Sequence, residues 1–433
     1  MDGCTIKETK DGKVKERKKE ENIWRKGIEQ VCHLEDFDPM NQYYEQGPQE
    51  WISFLREEEL KNFWTMSLPS QVDFCMPRQV LLVVDFPMGV GGGTAFFLNL
   101  ILCHYKTWTD FIVVRHHEDE RFYMTHNDDA LIFQSEKEKE TFDYLSSFTN
   151  CISKIFINHI QHLPLSFLTS LFSMNIPITT ITHDYLWIHK KPQPLYHELI
   201  SSENIRQPHD GFRQLFSKIS TLIVQNPLHI PIFQPYLSDH HHTQIIVEPL
   251  PDYMFSGEKI VSTPSVKKRI GIIGSINHTL KGRKILEWVV DSFKNKNYEF
   301  VIFGSTWNWP FIEENQEYVQ SFFYSSIQHL NELLKEHPPQ MLLELSLWPE
   351  TYSYTLKLGM LTQLPILCLK KEFPSVVESR LRQEYPHHSF FFSNWIELES
   401  LLETTTQSYL YTIQPICYFS KFWDYFLEKS IKQ

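Results

Sequence analysis

From residue 80 onward the chain alternates short apolar runs with longer amphipathic stretches. The runs Val80–Phe86, Phe111–Arg115, Ala130–Phe133, Ile155–Asn158, Pro177–Thr182, Leu222–Gln225 and Gln244–Val247 are rich in Val, Ile and Phe. They are apolar almost throughout, which is the pattern of strands covered on both faces in a parallel sheet. Tyr123–Asn127 beside Ala130–Phe133 predicts a small hairpin across Asp128-Asp129. A second series begins after a Pro/Ser-rich stretch near 250–266. Its strands, Arg269–Ile273, Phe300–Gly304, Met341–Leu345, Ile366–Leu369 and Phe390–Phe392, alternate with helical segments near 283–295, 326–337, 353–363 and 374–383. Two rounds of strand–helix alternation predict two doubly wound α/β halves. Ligands of such sheets bind at the carboxyl ends of the strands, so two facing halves would enclose a cleft.

The ends of the chain follow other patterns. Residues 1–22 hold seven Lys/Arg and six Asp/Glu with no apolar core, and are expected to form a solvated arm. In 23–70, Trp51, Phe54, Leu55, Phe63 and Trp64 recur at helix-like spacing among charges. That stripe suits a helix packed on the first half, and also a docking surface for a partner or a peripheral contact with a bilayer interface. Phe419, Phe422, Trp423 and Phe426 mark one greasy face over Phe419–Lys432. Its polar face is not strongly basic, which favours a strut on the body over a membrane anchor. The expected domains are an N-terminal arm and helical extension (1–70), two Rossmann-like domains (71–252 and 253–405) and a C-terminal helix (406–433).

Composition narrows the function classes. The 433 residues are 42% hydrophobic and 14% aromatic, enough apolar material for sizeable cores and against a mostly disordered chain. A net charge of −12 without a long basic stripe argues against nucleic-acid binding. Seven cysteines, at 4, 32, 75, 103, 151, 368 and 417, include no C-x-x-C pair. That argues against a disulfide framework or a structural zinc site and for a reducing compartment. No run approaches the roughly 18 apolar residues of a membrane-spanning helix, and the amino terminus lacks the form of a signal or transit peptide. The expectation is a cytoplasmic protein.

Candidate chemistry sits where strands end. The first strand runs through Asp85-Phe86-Pro87-Met88-Gly89-Val90 into Gly91-Gly92-Gly93-Thr94 and a helix. Such a glycine loop lets bare backbone approach a ligand, though a tight turn without a ligand fits equally well. Thr94 replaces the third glycine of a dinucleotide fingerprint, and no Lys-Ser/Thr closes a P-loop. His183-Asp184-Tyr185 follows the fifth strand, where His183 suits acid–base work or acceptor positioning; a histidine satisfied by backbone is the alternative. Asn158-His159 has the same placement and a weaker claim. In the second half, Gly274-Ser275-Ile276-Asn277-His278 leads to Lys281-Gly282, where a lysine opening a helix would neutralise phosphates unless it is simply a surface residue.

Leu347-Trp348-Pro349-Glu350-Thr351-Tyr352-Ser353-Tyr354-Thr355-Leu356 carries the sharpest signal. Glu350 at the turn suits sugar hydroxyls, and the amides after it suit a diphosphate, a pairing that a nucleotide-sugar presents at once. His240-His241-His242 has no matching carboxylate spacing and reads as a solvated loop. Asp36-Phe37-Asp38 lies in the extension rather than after a strand. No Gly-x-Ser-x-Gly or reactive-cysteine setting appears.

Ser346–Leu356 closely resembles the donor-site signature of the retaining glycosyltransferases of family 4, in the GT-B group. The resemblance extends, in family order over roughly 78–405, to Gly91–Thr94, Ile157-Asn158-His159, His183-Asp184-Tyr185, Gly274…Lys281-Gly282 and Val301-Ile302-Phe303-Gly304. It implies a UDP- or GDP-sugar donor held mainly by the second domain, a glycan or other hydroxyl acceptor against the first, and transfer with retention of configuration. It also implies no bound cofactor and no essential protein-bound metal. Glu350 and His183 would be catalytic. Gly274, Lys281, Gly282, Gly304, Thr351, Tyr352, Ser353 and Tyr354 would meet the donor. Gly91, Gly92, Gly93, Thr94, His159 and Asp184 would line the acceptor side. Two positions depart from the family pattern: its second glutamate is Leu358 here, and the arginine five residues before the lysine is Ile276. These losses keep two alternatives open, a catalytically silent binding or scaffold protein and a nucleotide-sugar epimerase on the same fold.

Overall fold

The structure is a computed structural model. It describes residues 80–405 except 86–93, 95–96, 99–101, 103–109, 117–120, 127–129, 148, 201–210, 238–242, 250–258, 261–266, 277–278, 295, 307–308 and 325. The arm and extension, Gly91–Gly93, the histidine run and the C-terminal stripe lie outside the described residues. The described part divides into two compact units: 80–249 together with Glu350–Ser353, and 259–349 together with 354–405.

The first unit is built on strands β1 (Val80–Asp85), β2 (Asp110–His116), β3 (Phe122–His126), β4 (Ala130–Ser135), β5 (Ile152–Ile157), β6 (Ile178–Ile181), β7 (Thr221–Val224) and β8 (Gln244–Val247). They form one sheet in the order β4-β3-β2-β1-β5-β6-β7-β8. The central strands are parallel, and Leu82–Val84, Phe111–Val114, Ile155 and Leu222–Val224 are almost completely buried, as continuous apolar runs demand. One edge departs from the expected parallel sheet. The strand β3 runs antiparallel to both β2 and β4, so the expected hairpin is one half of a meander. Only residues 117–121 separate β2 from β3, too few for the crossover a parallel pair needs. The edge strands β4 and β8 are also half-exposed rather than covered on both faces. Among the described residues of this unit lie helices α1 (Glu138–Ser146), α2 (Leu165–Phe172), α3 (Tyr196–Ile200), α4 (Phe212–Phe216) and α5 (Ile230–Phe233).

The second unit holds β9 (Lys268–Ile273), β10 (Tyr298–Phe303), β11 (Val319–Phe322), β12 (Met341–Glu344), β13 (Ile366–Leu369) and β14 (Ser389–Phe392). All pairs are parallel, in the order β11-β10-β9-β12-β13-β14. Its helices are α6 (Arg283–Phe293), α7 (Pro310–Glu314), α8 (Ile327–Glu336), α9 (Tyr354–Leu361), α10 (Val376–Glu384) and α11 (Trp395–Thr404). Three of them begin at side-chain caps: Ser326, Ser375 and Asn394 accept the amide N–H of His329, Glu378 and Glu397. The apolar stripe of α6, Ile285, Leu286, Val289, Val290 and Phe293, packs on Ile270, Ile272, Phe300 and Ile302. Ile276 joins that same core and is 3% exposed. The position where the resembled family often carries an arginine is therefore a packing position here.

Candidate active site

In the first unit the central strands end in polar residues that meet side by side. Asp85 and Arg115 are direct register partners at the carboxyl ends of β1 and β2. Both are buried, and Arg115 Nε donates to Asp85 Oδ2 over 3.4 Å. Asn158, just past β5, is 1% exposed; its Nδ2 donates to Asp85 Oδ1 at 2.5 Å and, over 3.4 Å, to the carbonyl of Thr94. The Asn158 carbonyl oxygen then faces His183 Nε2 at 2.8 Å, just past β6. Spatial strand order β2-β1-β5-β6 thus becomes a hydrogen-bonded row, Arg115–Asp85–Asn158–His183.

The row settles proton positions. A carboxylate only accepts, so Asn158 must turn its NH2 to Asp85 and its oxygen to His183. His183 Nε2 therefore carries the hydrogen, and Nδ1 is the acceptor nitrogen. The ring is half-buried and meets Phe97 edge-on at 5.0 Å. Burial first, and then the neighbouring His159, hold its pKa well below the ordinary 6.5, so the imidazole is neutral at neutral pH. His159 follows the same logic: its Nδ1 accepts the Gln161 amide N–H at 3.0 Å, so Nε2 donates to Asp184 Oδ2 at 2.9 Å. The other oxygen of Asp184 accepts the Leu186 amide at 3.0 Å. Tyr185 is fully buried, and burial followed by the charges of Asp184, Tyr196 and Glu350 keeps its phenol protonated.

The second unit offers backbone where the first offers side chains. At the end of β9 the Gly274 N–H donates to Phe303 at 2.8 Å, and the Ile276 N–H donates to Ser305 at 3.1 Å. Gly274 has φ +112°, and a Cβ on Gly304 would collide with the Gly274 carbonyl oxygen. Gly282 precedes α6 with φ +88°, and its missing Cβ would stand 2.6 Å from the Leu345 carbonyl oxygen. This loop touches the Leu347–Leu356 signature directly. The Leu347 N–H donates to Leu280 at 2.7 Å, and Lys281 Nζ lies 5.0 Å from the centre of the Trp348 ring. A cation, a helix start and three glycines form an anion-compatible arrangement.

The signature continues through Glu350–Ser353, all buried and packed within the first unit. Thr351 Oγ1 donates to the His183 carbonyl at 2.7 Å. Ser353 takes φ +63°, a left-handed conformation costing about 1–2 kcal/mol for a residue with a Cβ, and α9 starts one residue later. Leu358 is buried in α9, next to Lys357, which is 1% exposed and lies 3.8 Å from Glu384. Among the expected positions, the structure brings Lys281, Gly282, Gly274 and Gly304 together in one unit. It brings His183, His159, Asp184, Thr94 and Glu350–Ser353 together in the other. Asp85 and Arg115 were not anticipated. The available signal was that each is the polar residue on which an apolar strand run stops.

Among the described residues, no group of three or more His, Cys, Asp or Glu is arranged to hold a metal ion, and no helix is long and apolar enough to cross a membrane. No protein-family model matches the sequence, and no curated protein matches it. Solved structures do match in shape. A glycosyltransferase from Rickettsia africae ESF-5 is 12% identical, with 76% of this chain and 88% of that chain covered and a TM-score of 0.50. Anabaena Alr3699/HepE, solved in complex with UDP-glucose, is 13% identical over 75% and 89% of the two chains at a TM-score of 0.49. Sucrose-phosphate synthase from Thermosynechococcus elongatus is 10% identical over 76% and 90%, also at 0.49. At such identities the likeness is one of fold. Two α/β units, each on a largely or wholly parallel sheet, give this chain the fold of the GT-B glycosyltransferases.

Proposed function

We propose that the chain is a glycosyltransferase that moves a sugar from a nucleotide-diphosphate sugar to a hydroxyl acceptor with retention of configuration, as the family 4 resemblance implies. One observation carries the reading. Lys281 lies over the Trp348 ring, the Gly282 turn packs against Leu345 and the Leu280 carbonyl accepts the Leu347 N–H, so this basic, amide-rich turn adjoins the start of the signature that leads to Glu350. In this reading Lys281 and the first amides of α6 hold the diphosphate and stabilise the charge that develops on it as the glycosidic bond breaks. Glu350 accepts hydrogen bonds from hydroxyls of the transferred sugar, and the amides of Thr351–Tyr354 add donors. Neutral His183 meets the sugar and acceptor as a hydrogen-bond acceptor at Nδ1. The fold shared with the Rickettsia africae glycosyltransferase supports this assignment.

Isothermal titration with UDP- and GDP-sugars tests it. Saturable binding of at least one donor, weakened in Lys281→Ala, is the expected result; absence of binding by every donor overturns it. A second reading is a silent relative. It is favoured by the burial of Leu358 and Ile276, apolar where the family places a glutamate and an arginine. Donor binding without any transfer in the presence of varied acceptors would select that reading.

A further inference from the structure

The mechanism leaves two buried ions without a task. Asp85 and Arg115 are 2% and 5% exposed and sit at the carboxyl ends of β1, which adjoins the Asn158 strand, and of β2, the next strand out. Burying an ion pair costs several kcal/mol of desolvation and rarely repays it in stability. A position that retains such a pair therefore invites a reason other than packing.

The geometry points to Asp85 as a positioning residue that, through Asn158, dictates which nitrogen of His183 carries the proton. The inference rests on the reading that His183 serves the transfer reaction, and each link in it is forced by donor and acceptor chemistry. Arg115 only donates, and Asp85 only accepts. Asp85 Oδ2 takes the guanidinium and Oδ1 takes the Asn158 NH2. The Thr94 carbonyl, at 3.4 Å, asks for the same amide orientation more weakly. An amide so turned shows only oxygen to His183, which must then donate from Nε2. The neutral ring consequently keeps Nδ1 as its acceptor. Asp85 itself touches neither reacting group in this account; it acts at a distance of two hydrogen bonds.

The row makes an unusual demand of one isosteric change. In Asp85→Asn the new amide must turn its carbonyl to Arg115, because Arg115 has nothing but N–H groups to offer. Its NH2 then faces Asn158. Asn158 must flip, present NH2 to His183, and drive the proton from Nε2 to Nδ1. Adding Arg115→Met removes the constraint, so that the new amide is free to show its carbonyl to Asn158 again.

The test is a two-bond proton–nitrogen correlation spectrum of the full chain labelled in histidine, with His183 identified by the signal lost in His183→Gln. Wild type is expected to show His183 as the Nε2–H tautomer, Asp85→Asn as mainly the Nδ1–H tautomer, and the Asp85→Asn/Arg115→Met pair as Nε2–H once more. A wild-type ring in the Nδ1–H form, or as an even mixture, overturns the inference, as does an unchanged tautomer in folded Asp85→Asn. Should Asp85→Asn fail to fold, an Nδ1–H ring in wild type or in the double variant still overturns the inference. In donor turnover, Asp85→Asn is expected to lower kcat on the order of 100-fold, the scale of a misplaced acid–base group, with donor KM unchanged. The double variant should recover most of that loss, which a purely structural role would not allow. A chain with no transfer activity at all would remove the proposed function while leaving the tautomer result to stand or fall on its own.

Discussion

The strand ends of the two sheets are built from different materials. In the first unit, buried and half-buried side chains meet in a row, Arg115, Asp85, Asn158 and His183, in the order of the strands that precede or carry them. In the second, the ends of β9 and β10 are stripped to backbone at Gly274 and Gly304, and Gly282 does the same at the start of α6, with Lys281 as the added cation. A row of side chains fixes protons and orientation, which are properties of individual groups. Bare amides and a helix start bind negative charge spread over several oxygens. In the proposed function, the first set of strand ends would handle a proton and the second would hold an anion.

The most damaging way to break the contrast is to put a side chain where backbone must pass. Gly304→Ala is expected to destabilise the second unit by about 4 kcal/mol, because its methyl would collide with the Gly274 carbonyl; chemical denaturation followed by Trp fluorescence measures it. Next comes Glu350→Ala. It should lower transfer on the order of 10²–10³-fold, the scale of one lost stabilising contact to the transition state, with a circular-dichroism spectrum like that of wild type.

Acid sharpens the contrast from the other side, because the first unit stores neutral imidazoles. Burial pushes His229 from 6.5 down to about 4, and it packs edge-on to Tyr185 and Phe233. Below pH 6.5 the unfolded chain takes up a proton that the folded one refuses. The stability contributed by neutral His229 is therefore complete above that pH, and falls as pH drops towards about 4. About 3 kcal/mol is lost over that window. His229→Phe should flatten that part of the curve, as read from denaturant midpoints at stepped pH. The smallest effect expected is that of Lys281→Met, roughly 30-fold weaker donor binding, or about 2 kcal/mol, for one lost charge-assisted contact. Titration calorimetry reads this directly.

The sequence displayed the fold wherever strands are buried on both faces. Val80–Asp85, Lys268–Ile273 and Tyr298–Phe303 are apolar enough to stand out from their surroundings. It did not display β11, where Val-Gln-Ser-Phe at a sheet edge buries only Val319, nor the antiparallel pairing of β3 with β2, which is decided by a short connection rather than by residue type. The helix α11 had its signal in the open, Asn394 three residues before Glu397, a side-chain cap that periodicity alone passes over. In the candidate site, Gly274, Lys281-Gly282 and Glu350 stand out in the sequence because their motifs are local. The Asp85–Arg115 contact was not, since its partners lie thirty positions apart and meet only through the parallel register of β1 and β2. Ile276 shows the opposite case: a motif position that the core has claimed.

Release of a nucleoside diphosphate from an activated sugar is the central requirement of the proposed function. Purified full-length chain offered a panel of UDP- and GDP-sugars with mixed glycan acceptors should liberate UDP or GDP from at least one donor, and Glu350→Ala should do so at a small fraction of that rate. No release from any donor, or release by Glu350→Ala at the wild-type rate, would contradict it.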